Sequence, residues 1–251
     1  MKVVAVANAA GSAAKSTTVV SLATLLGQSG RRVLVVDGDA QATASGWLGV
    51  SRPGLTTGDV LLRRATLADA TVPTNAPGVR LLPATRDLDA DLVELHGTIG
   101  REQRLKSALR GHDVDVVLVD CPGSISTLTI AALVAATAVV TVTQPTMKEM
   151  SGIAELDAVV RAVQDAYAPD LRLSAVVPCI VPGAGAGRLY TDAMTLLRQT
   201  YPDLVTPPVR RTTRVPEAHA QHTPVPLHGP HEPVTRDYQA VLAWLCHRGV
   251  L

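Results

Sequence analysis

Val3-Val4-Ala5-Val6-Ala7-Asn8-Ala9-Ala10-Gly11-Ser12-Ala13-Ala14-Lys15-Ser16-Thr17-Thr18 opens the chain, an apolar run of strand length that passes through small residues into a Lys-Ser pair and a helical stretch. In a strand, loop and helix of this kind, backbone N–H groups and the helix N-terminus converge on one point and can cradle phosphates. On that reading Gly11, Ser12, Ala13, Ala14, Lys15, Ser16 and Thr17 form the cradle. Lys15 then reaches the β- and γ-phosphates, and the Ser16 hydroxyl ligates Mg²⁺. The general pattern G-x-x-x-x-G-K-[ST] has glycine where Ala9 and Ala14 stand, so a small-residue turn from strand to helix is the other reading of the loop alone.

Outward from this stretch, apolar runs of strand length alternate with segments of helical period. The strand candidates are Val3–Ala7, Val33–Val36, Val79–Leu82, Val114–Val119, Ala138–Val142 and Leu171–Val177. Helices are expected over Ser16–Gln28, Arg101–Arg110, Ser151–Ala166, Leu189–Thr200 and Val234–His247. The alternation predicts an α/β fold: a doubly wound, mostly parallel sheet flanked by helices. Residues 1–251 are read as a single domain, with the four prolines of His222–Pro233 marking an irregular loop before the last helix.

Composition agrees with that fold and excludes several classes. Hydrophobic residues make up 47% of the 251, yet aromatics only 2% with no Phe, so Val, Leu, Ile and Ala must fill the core, as in sheets buried on both faces. A net charge of +1 gives no global pull toward nucleic acid, so any DNA contact needs a local basic patch. Cys121, Cys179 and Cys246 are widely spaced without a CxxC, which predicts reduced thiols packed in a cytoplasmic protein. The N-terminus lacks signal-peptide features, and the apolar run Ile130–Val142 is too short to span a bilayer, so no membrane is expected.

Two further elements bear on the loop. Asp37-Gly38-Asp39-Ala40-Gln41 follows the second strand, and Asp120-Cys121-Pro122-Gly123 follows Val116-Val117-Leu118-Val119. Carboxylates at the C-terminal ends of buried strands beside such a loop are where an NTPase holds its Mg²⁺ shell and orients water. A single Asp at a strand end is as readily a turn or a helix cap, but three such elements in this order disfavour that account.

Taken in series, these stretches resemble the ParA/Soj family of deviant Walker ATPases. The likeness runs through Asn8–Thr18, Val33–Thr43, Gly58-Asp59-Val60-Leu61-Leu62, Leu81–Ala84, Asp120–Gly123, Gln144-Pro145 and Arg211–Ala218, and spans the chain from Met1 to about Leu245. The resemblance implies ATP and Mg²⁺ as cofactors, with Lys15 on the phosphates, Ser16 a magnesium ligand, Asp39 positioning the attacking water and Asp120 the acid of the second Walker motif. It also implies an ATP-bound homodimer, nonspecific binding of double-stranded DNA, a ParB-type adaptor partner and residence on the nucleoid. Family loops read Lys-Gly-Gly-x-Gly-Lys, and the first lysine crosses the dimer; that position is Ala10 here. Loss of such a cation predicts slow hydrolysis, although some members, including those that position carboxysomes, also lack it. If the backbone at Ala14 needs positive φ, its Cβ costs about 1–2 kcal/mol.

For DNA the candidates are Arg188, Arg210, Arg211 and Arg214, since clustered arginines neutralise phosphates; solvated helix-face arginines are the alternative. Gly183-Ala184-Gly185-Ala186-Gly187 reads as a loop, and Glu217 as a brace or cap. His219, His222, His228 and His231 lie in a proline-rich stretch that favours structure over metal. Two rivals stay open: a degenerate relative acting as a scaffold without nucleotide, favoured by Ala10 and Ala14, and a MinD-like membrane ATPase. The latter would need a basic face on the last helix, which Tyr238–His247 lacks.

Overall fold

The computed structural model describes residues 1–9, 14–183 and 187–251. Seven strands form one sheet in the order β3-β4-β2-β5-β1-β6-β7. They are β1 (Lys2–Ala7), β2 (Val33–Asp37), β3 (Val72–Pro73), β4 (Val79–Leu82), β5 (Val116–Asp120), β6 (Ala138–Thr143) and β7 (Leu173–Pro178). All neighbours pair in parallel except the two-residue β3, which runs antiparallel to β4. The predicted doubly wound α/β architecture is the one observed.

Alternate residues of each central strand feed two separate cores. Val3, Ala5, Ala7, Leu34, Val36, Val117 and Val119 face one, with residues of α3 (Thr57–Leu61), α5 (Leu88–His96), α7 (Thr127–Ala135) and α8 (Met147–Ala166). Val4, Val6, Val33, Val35, Val116 and Leu118 face the other, with α1 (Lys15–Gln28) and α12 (Pro233–His247). Burial on both faces is why these strands read as unbroken apolar runs rather than alternations. Val234, Tyr238, Val241 and Leu245 place the apolar stripe of α12 inside the second core, so that stripe is consumed by packing.

Helix α1 lies close to the sheet because two glycines permit it. A Cβ on Gly27 would stand 2.1 Å from the Pro77 carbonyl oxygen, and one on Gly78 would stand 2.9 Å from the Gly27 Cα.

Differences from the sequence reading have local causes. Helix α8 starts at Met147, four residues before the expected Ser151, because Thr146 is its N-cap and accepts from the Glu149 N–H at 3.4 Å. The run Ile130–Val142 is divided between α7 and β6. Arg101–Arg110 splits into a 3₁₀ turn at Arg101–Gln103 and α6 (Arg104–Ala108). His222–Pro233 contains the short helix α11 (Val225–His228), in which Pro226 is tolerated because first-turn N–H groups have no intrahelical partner. Cys121 and Cys179 are buried as expected, but Cys246 is exposed on α12. Helices α2 (Thr43–Trp47), α4 (Leu67–Ala70), α9 (Arg188–Thr200) and α10 (Arg214–Ala220) complete the helical set used below.

The two sheet edges are finished differently. Pro73 sits in the brief outer strand β3, whereas β7 is flanked by the segment 204–211. Backbone bonds run along that flank from Val176 N–H to the Leu204 carbonyl, Thr206 to Val176, Val209 to Pro178 and Arg211 to Val181, all at 2.8–3.0 Å.

Among the described residues, no helix is long and apolar enough to cross a membrane.

Candidate functional site

The candidate residues gather where the carboxyl ends of β1, β2 and β5 meet, the crevice in which open α/β sheets bind ligands. Strand register sets the carboxylates: Asp37 pairs directly with Asp120 across β2 and β5, and Val6 of β1 pairs with Asp120 from the other side. Lys15, at the start of α1, is only 5% exposed, so its ammonium is held inside the crevice rather than in solvent.

Asp37 and Asp120 are both fully buried but differ in their company. Asp37 accepts from the Ser45 N–H at 2.8 Å, the Ser45 hydroxyl at 2.7 Å and the Asp39 N–H at 3.2 Å. Burial still pushes it up to about 6 against those bonds. Neither oxygen of Asp120 accepts a hydrogen bond of ordinary geometry. Burial, then the neighbouring Asp37, drive its pKa well above the usual carboxylate range, and the nearby Ser16 hydroxyl and Lys15 ammonium only partly offset them. Two buried carboxylate oxygens without donors are costly unless a cation or water meets them. The donor set of Asp120, Ser16 and Asp39 is all oxygen, the chemistry that suits Mg²⁺.

Asp39 stands between these groups and solvent, with its side chain turned back to accept from the Gln41 N–H at 2.9 Å. Its position depends on Gly38. The Gly38 N–H donates to the Asp120 carbonyl at 2.9 Å, and a Cβ there would stand 2.3 Å from Leu128 Cδ2 and 2.8 Å from the Asp120 oxygen. Only glycine lets the β2 loop lie this close to the β5 loop.

Ala14, the N-cap of α1, has φ 90° and ψ 1°, with no side-chain cap. The positive φ anticipated from the loop pattern is therefore present, and Ala14 carries a Cβ in a conformation that favours glycine. Ser16 and Thr17 follow in the first turn of the helix. Ala10, Gly11, Ser12 and Ala13 lie outside the described residues.

A hollow of about 280 Å³ opens beside the start of α1, between Ala14, Thr17, Ile180, Arg211, Val215 and Tyr238. The buried Tyr238 hydroxyl lies 3.4 Å from Thr18 Oγ1, which joins α12 to α1 at its floor. Sequence reasoning missed these residues as a group, because α12 and the loop after β7 meet α1 only in the fold. Ser45, the main partner of Asp37, was missed as well, since nothing in its spacing signals a carboxylate partner.

Of the four arginines assigned to DNA, two already have carboxylate partners. Arg210 makes a two-pronged pair with Asp237, Nε at 2.6 Å and Nη2 at 2.8 Å. Arg214 pairs with Glu217 at 2.8 Å and Glu232 at 3.3 Å, which gives Glu217 its bracing role. Arg211 lines the hollow beside Ala14. Arg188 starts α9 and lines a broader groove of about 770 Å³ together with Arg198. The histidines have structural employment in two cases. His219 packs its ring 5.0 Å from that of Trp47, and His222 Nδ1 lies 3.1 Å from the Gly46 carbonyl, so α10 is tied to α2.

Comparison with known proteins agrees with this arrangement. Residues 1–173 match the family model described as AAA domain. The chain is 36% identical over 183 residues to the chromosome partitioning protein ParA of Caulobacter vibrioides, covering 70% of this chain and 68% of that protein. It is 32% identical over 234 residues to the sporulation initiation inhibitor protein Soj of Bacillus subtilis, covering 91% and 92%. It also superimposes with a TM-score of 0.85 on a Mycobacterium smegmatis structure described as cobyrinic acid a,c-diamide synthase with bound ADP and magnesium, at 30% identity over 99% of this chain and 95% of that one. The protein is thus a member of the ParA family of P-loop partition ATPases.

Proposed function

We propose that this chain, acting as a single domain over residues 1–251, binds Mg²⁺-ATP, dimerises in that state, and binds double-stranded DNA nonspecifically on the nucleoid under the control of a ParB-type adaptor. The observation that carries the nucleotide part is Asp120, buried with two unpaired oxygens beside Lys15 and Ser16. Such a carboxylate is expensive in an isolated fold and is explained by a metal ion that meets it.

In this reading Lys15 and the backbone of residues 11–17 hold the phosphates, Ser16 and Asp120 face the Mg²⁺, and the hollow between Ile180, Val215 and Tyr238 takes the base. Bound Mg²⁺-ATP supplies a γ-phosphoryl group whose transfer to water gives ADP and phosphate. Asp39, held near the crevice mouth by Gly38, orients that water. Ala10 leaves the loop without a second cation, so hydrolysis is slow. Arg188 and Arg198 are the stronger candidates for DNA, because Arg210 and Arg214 are already neutralised.

Titration calorimetry with ATP and Mg²⁺, beside a Lys15→Ala control, tests the reading. Saturable heat that disappears in the control supports it, and absence of heat in the parent protein defeats it. The left-handed Ala14 favours a second reading, a relative that has given up nucleotide and serves as a DNA- or partner-binding scaffold. That reading predicts no heat and unchanged DNA binding with or without ATP.

A further inference from the structure

His222 follows α10 at φ 48°, a left-handed conformation that favours glycine, and it is exposed, so it adds little to either core. What it adds is a contact. Its Nδ1 lies 3.1 Å from the Gly46 carbonyl oxygen, and because a carbonyl only accepts, Nδ1 carries the proton of that bond. The Gly46 N–H donates to the Ala42 carbonyl at 3.0 Å, and the Ala42 N–H donates to the Asp39 carbonyl at 2.8 Å. Hydrogen bonds in series thus join a histidine beyond α10 to Asp39 at the crevice mouth.

The series runs through α2, which is only five residues long and whose N-cap Ala42 stands at φ 52°. A helix so short has little stability of its own, and its position is set by what grips it. Trp47 is buried in the second core, and Ser45 donates to Asp37 from both its N–H and its hydroxyl, which hold α2 against the sheet. The peptide of Gly46 lies between these two anchors. Its carbonyl also accepts from the Gly49 N–H at 3.1 Å, a bond within the local turn, so His222 is its contact from outside that turn. The Asn75 amide in turn donates to the His222 carbonyl at 2.7 Å and to the Trp47 carbonyl at 3.3 Å, which fixes the histidine backbone against the end of α2.

We propose that His222 is a positioning residue for hydrolysis, holding Asp39 in place through Gly46 and Ala42. This rests on the reading of Asp39 as the carboxylate that orients the attacking water. His222 lies outside the hollow assigned to the base, so its effect falls on turnover rather than on nucleotide affinity. Small displacements of a group that orients a reactant cost rate steeply. The strain at φ 48° then has a reason, since glycine would relieve the backbone but leave Gly46 without its outside donor.

The test compares His222→Ala, His222→Gly and His222→Asn in the full chain, with Mg²⁺-ATP affinity read by calorimetry and kcat by release of labelled phosphate. The Ala and Gly variants should lower kcat about tenfold and keep affinity within about twofold of the parent. Asparagine tolerates positive φ and carries an N–H donor at the same branch point as the histidine Nδ1, so His222→Asn should restore most of the rate. His222→Gly should melt within about 2 °C of the parent, because relief of the left-handed strain offsets the lost bond, and its slower turnover is then not a loss of fold. The assignment of His222 is overturned if the Ala and Gly variants turn over at the parent rate, or if His222→Asn is as slow as His222→Ala. It is overturned equally if affinity and melting temperature fall in step with kcat, as a purely structural tie would give, or if the parent binds ATP without turning it over. A parent that binds no ATP defeats the nucleotide reading itself and this role with it, which keeps the two failures distinct.

Discussion

Replacing Ala14 by glycine should stabilise the protein, against the usual rule that glycine weakens a helix start. Ala14 holds φ 90° at the N-cap of α1. A Cβ in the left-handed region costs about 1–2 kcal/mol. Glycine removes that cost but restores roughly 0.5–1 kcal/mol of chain entropy to the unfolded state. The difference favours Ala14→Gly by about 0.5–1 kcal/mol, which for a chain of this size corresponds to a rise of about 1–4 °C in melting temperature. Urea and thermal melts followed by circular dichroism read the effect, and calorimetry with Mg²⁺-ATP locates it. If the free and bound loops carry the same strain, affinity is unchanged. Should the strain be taken up on binding, the variant binds several-fold tighter, since about 1.4 kcal/mol is a factor of ten. A melting temperature equal to or below the parent's would refute the reasoning, because it would mean that residue 14 is not held at positive φ.

Asp120→Asn removes a buried acidic group that burial and Asp37 already disfavour in its charged form, so the ligand-free protein should be about as stable in urea melts while losing at least tenfold in Mg²⁺-dependent ATP affinity. A loss of stability without change in affinity would show that Asp120 serves the fold alone. Arg188→Glu with Arg198→Glu should weaken binding of random-sequence duplex and reduce its salt dependence, as read by anisotropy across a salt series. Equal effects from Arg210→Ala would contradict the view that Asp237 already satisfies that guanidinium. At the other end of the sheet, the Arg32 side chain and N–H hold Asp115 down to about 2. The folded carboxyl is depressed, so its contribution is present above about pH 4, near the unfolded pKa, and is lost as pH falls toward 2. Acid titration of stability should therefore flatten over that interval in Arg32→Gln.

Much of the fold was legible because burial on both faces writes a simple pattern: Val33–Asp37 and Val116–Asp120 are nearly all apolar and end in Asp. Helices α2, α3, α4, α5, α7, α10 and α11 were not read, and length is the reason, since four to nine residues give too little periodicity to distinguish from a loop. Lys15, Ser16, Asp39 and Asp120 lie near one another because Asp120 ends β5, Asp39 follows β2 by two residues, and Lys15 and Ser16 open α1. Arg210 and Arg214 misled because their partners, Asp237 and Glu232, are far along the chain, and charge counted along a sequence takes no account of pairing across the fold. The hollow beside Ala14 was invisible for a similar reason, as Tyr238 reaches it from the last helix.

The finished edges of the sheet limit how copies of this chain can meet. On one side Pro73 withholds an N–H from a strand only two residues long, and on the other the segment 204–211 takes up main-chain groups of Val176 and Pro178 in β7. Among the described residues, each flank is shortened or partly covered as a template for another strand. A sheet finished in this way disfavours joining copies edge to edge and leaves side-chain surfaces and bound ligands, whose contacts a change of ligand or charge can undo, as the readier means of assembly.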